Sequence, residues 1–383
     1  MLEHTKICVR KHGTCVLEHS KNVCSRTILK NCYICIMIKK YTIKDIAELA
    51  GVSKGTVDRV LHKRGRVSED ALKKVNAILD QIEYKPNPIA KTLKSNKIYR
   101  LSLIIPDVKE DSFWSPCLIA VKQVKEKFQN FGIAIETRTY ASHSTQNFID
   151  ITTKVIESKP DAILMVPLFN KEALQIAELC EENEILLSTF NNTIKSKKSV
   201  RFIGQDLYKS GRIAAKLFDT LLKEGTLVIA HIDQDLDNAT HMQAKEKGFR
   251  EFFSDHSLDN FSIITYQSNY NNTSISSQKL LEFAEKNSAK GVFVTTSKTY
   301  IAGKINQENR RKLKVVGYDL IQENTSLLKS DAIDFLIHQN PQQQTFLGLS
   351  QLAELLLFGT SNPMETLLPI DIINSENYEQ YLL

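Results

Sequence analysis

The chain has 383 residues, 42% apolar and 25% charged, the composition of a globular protein of about two to three domains. No apolar run approaches the ~18–20 residues of a membrane-spanning helix; the longest, Leu101–Pro106 and Leu352–Phe358, are the size of a strand or a short core helix. The net charge of +6 is unevenly placed. Residues 1–36 carry +4, residues 37–100 carry +8 (15 Lys and Arg against 7 Asp and Glu), and residues 101–383 carry −6. A basic end on an acidic body points to an anionic partner at that end.

Five of the seven cysteines (Cys8, Cys15, Cys24, Cys32, Cys35) fall in residues 1–36, and only Cys117 and Cys180 lie beyond them. The body therefore reads as a reduced protein with no disulfide framework. The first 36 residues show neither helical nor strand periodicity and no signal-peptide core. They read as a disordered extension, or as sequence upstream of a start at Met37, where "MIKKYTIKDIAELAG" opens. Cys24 and the pair Cys32-x-x-Cys35 are an alternative zinc set, but no matching second pair follows, so no metal is expected. Absence of an export signal favours the cytoplasm.

Residues 37–84 predict a three-helix head. Thr42 can N-cap a first helix with Asp45 as the acid of a capping box. Gly51 ends that helix in the left-handed conformation, and Ser53 caps a second. Ser68 caps a third, with Glu69 and Asp70 in its first turn. The apolar faces are Ile46, Ala47, Leu49 and Ala50; Val57, Val60 and Leu61; and Ala71, Leu72, Val75, Ile78, Leu79 and Ile82.

Residues 85–99 read as a linker. Pro86 and Pro88 stop the third helix, and "PIAKTLK" can form one short helix that is marginal in water without a partner.

Residues 100–383 alternate short apolar runs with amphipathic helices. Strands are expected at 101–106, 133–140, 161–167, 185–190, 200–204, 226–232, 261–267, 291–296, 313–318 and 332–339. Helices are expected at 115–130, 145–158, 171–183, 207–223, 240–254, 275–287, 320–329 and 342–357. This alternation predicts right-handed crossovers and parallel sheets covered on both faces. Ten strands exceed one comfortable sheet, so two α/β lobes are expected.

No G-x-G-x-x-G, P-loop, H-E-x-x-H or G-x-S-x-G occurs, and the nine histidines are scattered. An enzyme is therefore not expected, nor a cofactor. Pocket-forming architecture without catalytic motifs favours binding.

The head carries the sharp signal. "IAELAGVSKGTVDRVL" reads as a helix-turn-helix, whose second helix would enter the major groove with its N-terminal residues at the base edges. Those are Lys54, Gly55 and Thr56, with Asp58 and Arg59 one turn on. Arg59 can reach guanine or a phosphate.

"TIKDIAELAGVSKGTVDRVL" followed by "GRVSEDALKKVNAILDQIEYKPNPIAKTLKSN" resembles the DNA-binding head and hinge of the lactose-repressor (LacI) family over residues 42–96. The resemblance implies that Lys54 and Gly55 read bases and that Arg59 contacts DNA. It further implies that Leu93 wedges into the minor groove at the operator centre, with Ala90 beside the groove floor. It places Thr42, Ser53, Thr56, Asp58, His62 and Asn87 on the DNA-facing set. Asp58 and His62 depart from the usual serine and asparagine, and Gly55 has no side chain to read a base. The Asp58 carboxylate can accept from cytosine N4 or clamp Arg59 in one rotamer; the clamp is favoured.

The body resembles sugar-type periplasmic binding proteins through "GQDLYKSGRIAAKLF", "AKEKGFREFF", "VVGYDL" and "IHQNPQQQTFLGLSQLAELL". Such folds bind ligands between lobes at the carboxyl ends of strands. The matched positions are Phe113 and Trp114, Asn191 and Asn192, Lys245, Asp319 and Gln339. Amides and carboxylates suit hydroxyl groups, and the aromatic pair suits a sugar's C–H face. A phosphorylated or non-sugar effector stays open.

The expected fold is thus an all-α helix-turn-helix head (37–84), a hinge (85–99) and an α/β two-lobed periplasmic-binding-protein-like (type I) domain with parallel sheets (100–383). The expected function is that of a cytoplasmic, homodimeric transcriptional regulator on a near-palindromic operator, controlled by a small-molecule effector. The alternative is a solute-binding protein with a vestigial head.

Overall fold

The computed structural model describes residues 9–11, 14–16, 41–62, 64–82, 84, 97–196, 200–232, 238–268, 273–309 and 313–382. The chain separates into two compact units, Met1–Pro86 and Asn87–Leu383. Within residues 1–36, two short strands, β1 (Val9–Lys11) and β2 (Thr14–Val16), pair antiparallel. Local pairing of three residues a side escapes a search for periodicity. Cys24, Cys32 and Cys35 lie outside the described residues, as do 85–96 with the expected hinge helix.

The head is three helices, Ile43–Ala50, Lys54–Leu61 and Glu69–Gln81. The capping box forms in both directions: the Thr42 amide donates to Asp45 Oδ2 at 2.7 Å, and the Asp45 amide donates to Thr42 Oγ1 at 3.3 Å. Gly51 turns the chain at φ +64°, a conformation that penalises a Cβ. Ser53 Oγ accepts the Thr56 amide at 3.1 Å, which starts the second helix. Ile46, Ala47, Ala50, Val57 and Val75 form the core. Two apolar residues expected to join it do not: Leu49 and Leu72 are 53% and 41% exposed. On each helix the buried residues already define the inward stripe, and these leucines fall outside its arc.

The body has two six-stranded sheets. In the N-terminal lobe the strands are β3 (Tyr99–Pro106), β4 (Ile133–Tyr140), β5 (Ala162–Met165), β6 (Leu186–Phe190) and β7 (Arg201–Gly204). In the C-terminal lobe they are β8 (Gly225–Ile232), β9 (Phe261–Ser268), β10 (Ala289–Val294), β11 (Lys314–Tyr318) and β12 (Phe335–His338). Two further strands, β13 (Glu365–Leu367) and β14 (Asp371–Ile373), were not expected. They are three residues long and close one edge of each sheet, which run β13-β7-β6-β5-β3-β4 and β14-β12-β11-β10-β8-β9. Every pairing in the two sheets is parallel except β12 with β14. In each lobe the first strand lies beside both the second and the third, so a topological switch point opens at the carboxyl ends.

The helices match expectation within a few residues, with one addition, Tyr300–Glu308. Its interior Gly303 lowers helix propensity, but burial of Ile301, Ala302 and Ile305 supplies the stability that propensity lacks. The last long helix, Pro341–Phe358, follows a C-lobe strand yet packs its Leu349, Leu352, Ala353 and Leu357 into the N-lobe core. The chain therefore crosses between lobes three times: after β7, after β12 and between β13 and β14. Buried Gln205 ties all three crossings, its Nε2 donating to the carbonyls of His338 (2.9 Å) and Pro369 (2.6 Å).

Candidate functional site

In the head, the second helix presents Lys54, Gly55 and Arg59 to solvent, with Ser53 before them and His62 after, while Val57 is buried. Thr56 is half-buried and its hydroxyl is engaged at 3.0 Å by Ser53 Oγ. Thr42 is exposed at the first helix's N-terminus, occupied by its capping box. The expected Asp58–Arg59 clamp is absent among the described contacts. Asp58 Oδ1 instead lies 3.5 Å from His62 Nε2, one turn along the helix. Adjacent helical residues diverge by about 100°, whereas positions four apart face each other. Arg59 is exposed. Asn87, Ala90 and Leu93 lie outside the described residues.

In the body, a cleft between the lobes collects the carboxyl ends of the strands. Glu110, Asp111, Phe113 and Trp114 follow β3, Asn191 follows β6, and Thr295–Lys298, Asp319 and Gln339 follow β10, β11 and β12. His241 and Lys245 come from the helix Thr240–Asp255. Six of the seven residues expected from sequence therefore line one cleft. Asn192 is the exception; its Nδ2 lies 3.4 Å from His241 Nδ1 in the opposite lobe.

The polar wall is preorganised. Asp319 accepts twice from Gln339, from its amide at 3.0 Å and its Nε2 at 2.7 Å. Gln344 sits behind them: its Oε1 accepts the Asn191 amide at 2.8 Å and its Nε2 donates to the Gln339 carbonyl at 2.6 Å. Asn324 Nδ2 donates to the carbonyls of Ser297, Tyr318 and Asp319. These amides hold Asn191 and Asp319 at φ +65° and +70°, a region costly for residues other than glycine. Strain of this kind persists where surrounding contacts overdetermine it.

Lys245 is 2% exposed. Its Nζ donates to the Thr295 carbonyl at 2.9 Å and lies 3.6 Å from the centre of the Tyr318 ring. Burial pushes its ammonium toward the neutral form and Asp319 opposes that; burial likewise pushes Asp319 up and Lys245 holds it down. The helix bearing Lys245 lies against Leu207–Leu221 at a crossing only glycines allow. A Cβ on Gly248 would stand 1.9 Å from the Tyr208 carbonyl oxygen, and one on Gly211 2.0 Å from that of Lys245. Behind Lys245, His231 bridges Thr295 Oγ1 (2.8 Å) and Glu246 (2.6 Å), and Glu246 is further held by Arg250 and Thr265.

The apolar wall is Phe113 and Trp114, edge to face at 4.5 Å and both nearly buried. Trp114 also packs against Phe190, so it is at once wall and core. Sequence reasoning missed Asp111, His241, Ser297, Lys298, Gln344 and His231. No motif marks them; Asp111, two residues before Phe113, is the one that proximity could have suggested. Among the described residues no His, Cys, Asp or Glu cluster fits a metal ion, and no helix is long and apolar enough to cross a membrane.

Residues 101–360 match the periplasmic binding protein domain family, and residues 42–87 match the bacterial regulatory proteins of the lacI family. A ribose operon repressor from Lactococcus lactis subsp. lactis is 23% identical over 347 residues, covering 88% of this chain and 98% of that repressor. A sucrose operon repressor from Klebsiella pneumoniae is 41% identical over 78 residues, 20% of this chain and 23% of that one. A solved structure from Bacteroides fragilis, classed as a LacI transcriptional regulator, superposes with a TM-score of 0.70. It is 24% identical and covers 74% of this chain and 100% of its own. The chain thus carries a lacI-type helix-turn-helix head at residues 42–87, and over residues 101–360 it belongs to the periplasmic binding protein domain family.

Proposed function

We propose that the chain is an effector-controlled transcriptional repressor that binds operator DNA through the head and a small polyhydroxyl compound, a sugar, through the cleft. One observation carries the effector half: Phe113, Trp114, Asn191, Lys245, Asp319 and Gln339, from five separate places in the sequence, converge on one cleft. The DNA half rests on the lacI-type head and its exposed Lys54, Gly55 and Arg59. The names of the relatives, repressors of ribose and sucrose operons, fit a sugar effector.

The regulator acts as a homodimer in the cytoplasm, on a near-palindromic operator whose half-sites match the two heads. Leu93 and Ala90 of paired hinge segments enter the minor groove. The effector favours one closure of the lobes and thereby releases the DNA, two sites coupled through one two-state element. The chain itself catalyses no reaction.

The test is a gel shift with the gene's own upstream DNA at physiological salt, with and without a panel of neutral sugars. A discrete complex that competitor DNA does not remove, and that one sugar dissolves, is expected. Binding no stronger than to unrelated DNA overturns the repressor reading, because phosphate contacts alone are weak at that salt.

A further inference from the structure

Asp111 belongs to the N lobe, but one of its oxygens serves the C lobe. Oδ1 accepts the Phe113 amide at 3.0 Å, which fixes the carboxylate at the start of the aromatic wall. Oδ2 then meets Ser297 Oγ, from the loop after β10, at 3.2 Å. Ser297 is itself fixed, because its carbonyl accepts from buried Asn324 at 2.7 Å. The contact closes the cleft on the side of Phe113 and Trp114.

The charges around that contact are already matched. The acids facing the cleft are Glu110, Asp111 and Asp319, and the cations are Lys245 and Lys298. Lys298 lies in the field of Asp111 and Glu110, and Lys245 in that of Asp319. Glu110 is occupied by the amide and hydroxyl of Ser142, at 3.0 and 3.1 Å, and faces His143 at 3.5 Å. His241 is pushed down to about 3, by burial first and then by Lys245 and His231, so it adds no charge near neutral pH. Burial pushes the Asp111 carboxyl up, while the Phe113 amide, Lys298 and the Ser297 hydroxyl work to hold it down; a phosphate or carboxylate entering here meets three acids and two lysines that already face acids. In a site of low effective dielectric, that repulsion is strong. A neutral hydroxyl, by contrast, can donate to Asp111 Oδ2 while accepting from Ser297 Oγ, and so join the lobes instead of parting them.

We propose that Asp111 is a ligand-selecting latch: with Ser297 it fastens the two lobes over the cleft, and its carboxylate restricts the cleft to uncharged polyhydroxyl effectors, shutting out phosphorylated and carboxylated ones. The inference rests on the cleft being the effector site, and it narrows the class of compound that site accepts.

Trp114, the one tryptophan of the chain, stands in the wall beside the latch and reports on it. In the full chain, its fluorescence is quenched with acrylamide, a neutral probe, and with iodide, an anionic one, at matched ionic strength. Ser297→Ala removes the latch and keeps the charge; it should raise the acrylamide quenching constant at least twofold. Asp111→Asn keeps the shape and removes the charge; it should raise the ratio of iodide to acrylamide quenching at least twofold over both wild type and Ser297→Ala. Far-UV circular dichroism establishes that each variant is folded. Wild-type acrylamide quenching in Ser297→Ala overturns the latch. An unchanged iodide ratio in Asp111→Asn overturns the charge selection. Neither measurement needs DNA or effector, so a failed gel shift refutes the repressor reading separately from this one.

Discussion

Gly248→Ala isolates the helix crossing that carries Lys245. By helix propensity alone, alanine should stabilise the helix Thr240–Asp255 by about 1 kcal/mol. The packing predicts the opposite sign. The new Cβ would lie 1.9 Å from the Tyr208 carbonyl oxygen, 2.9 Å from its carbon and 3.3 Å from the Arg212 nitrogen. A comfortable contact requires roughly 3.5 Å, so the helices must part by about 1.5 Å. All three obstructing atoms are backbone, and none can rotate away. Overpacking of this kind costs about 3 kcal/mol at the upper end of its usual range. The net expectation is a loss of about 2 kcal/mol, or roughly 5 °C in melting temperature. Urea titration of the full chain followed by circular dichroism measures it. Gly211→Ala, whose Cβ meets the Lys245 carbonyl oxygen at 2.0 Å, should behave alike. At Gly55 the same change meets only Ser53 Oγ, at 3.8 Å, and should leave stability equal or higher by up to about 1 kcal/mol. Gly248→Ala as stable as wild type would refute the claim that backbone contact, and not helix propensity, decides this site.

Acid should destabilise the body early. His241 and His338 are held at about 3 and about 4 in the folded chain, both chiefly by burial, against 6.5 when free. The unfolded chain therefore binds more protons below pH 6.5, and stability falls as pH drops from there toward 4, by up to about 1.4 kcal/mol per pH unit for each group. Burial works against the Glu246 carboxylate, but donors from His231, Thr265 and Arg250 outweigh it and hold it at about 2, so its contribution is lost in turn below about 4.5. Urea midpoints at pH 7.5, 6 and 5 should decline, with a shallower decline in His241→Gln; a flat profile would count against this origin. Asp58→Ser, which removes the His62 pairing, should change the operator sequence recovered by in vitro selection. Recovery of the same site would make Asp58 a brace of its helix only. Leu93→Ala should weaken operator binding at least tenfold in a gel shift; undiminished affinity would remove the wedge.

Local chemistry made the head legible. A threonine, an acid three residues on, a glycine and a serine specify where two helices start and stop, and each bond forms within four residues. The same locality explains why the Asp58–Arg59 clamp was misjudged: neighbours in sequence are not neighbours on a helix. Strand and helix alternation made the body legible too, because burial on both faces of a parallel sheet demands continuous apolar runs. Short β13 and β14, and the glycine-interrupted helix Tyr300–Glu308, carry too little periodic signal and owe their form to the sheets and core they complete.

By itself, then, the sequence determined the order of elements, the two-lobed class and six cleft residues. Those residues came from the body's resemblance to sugar-type binding proteins; five of them follow strand ends, and Lys245 lies on the helix Thr240–Asp255. The tertiary structure alone decided that Asn192 meets His241 instead of lining the cleft, and that Gln344 joins the Asn191 amide to the Gln339 carbonyl. It alone decided that Asp111 reaches across the cleft to Ser297. Such contacts join residues up to 186 positions apart. Their partners are chosen by how two sheets face each other, a property no local window of sequence contains.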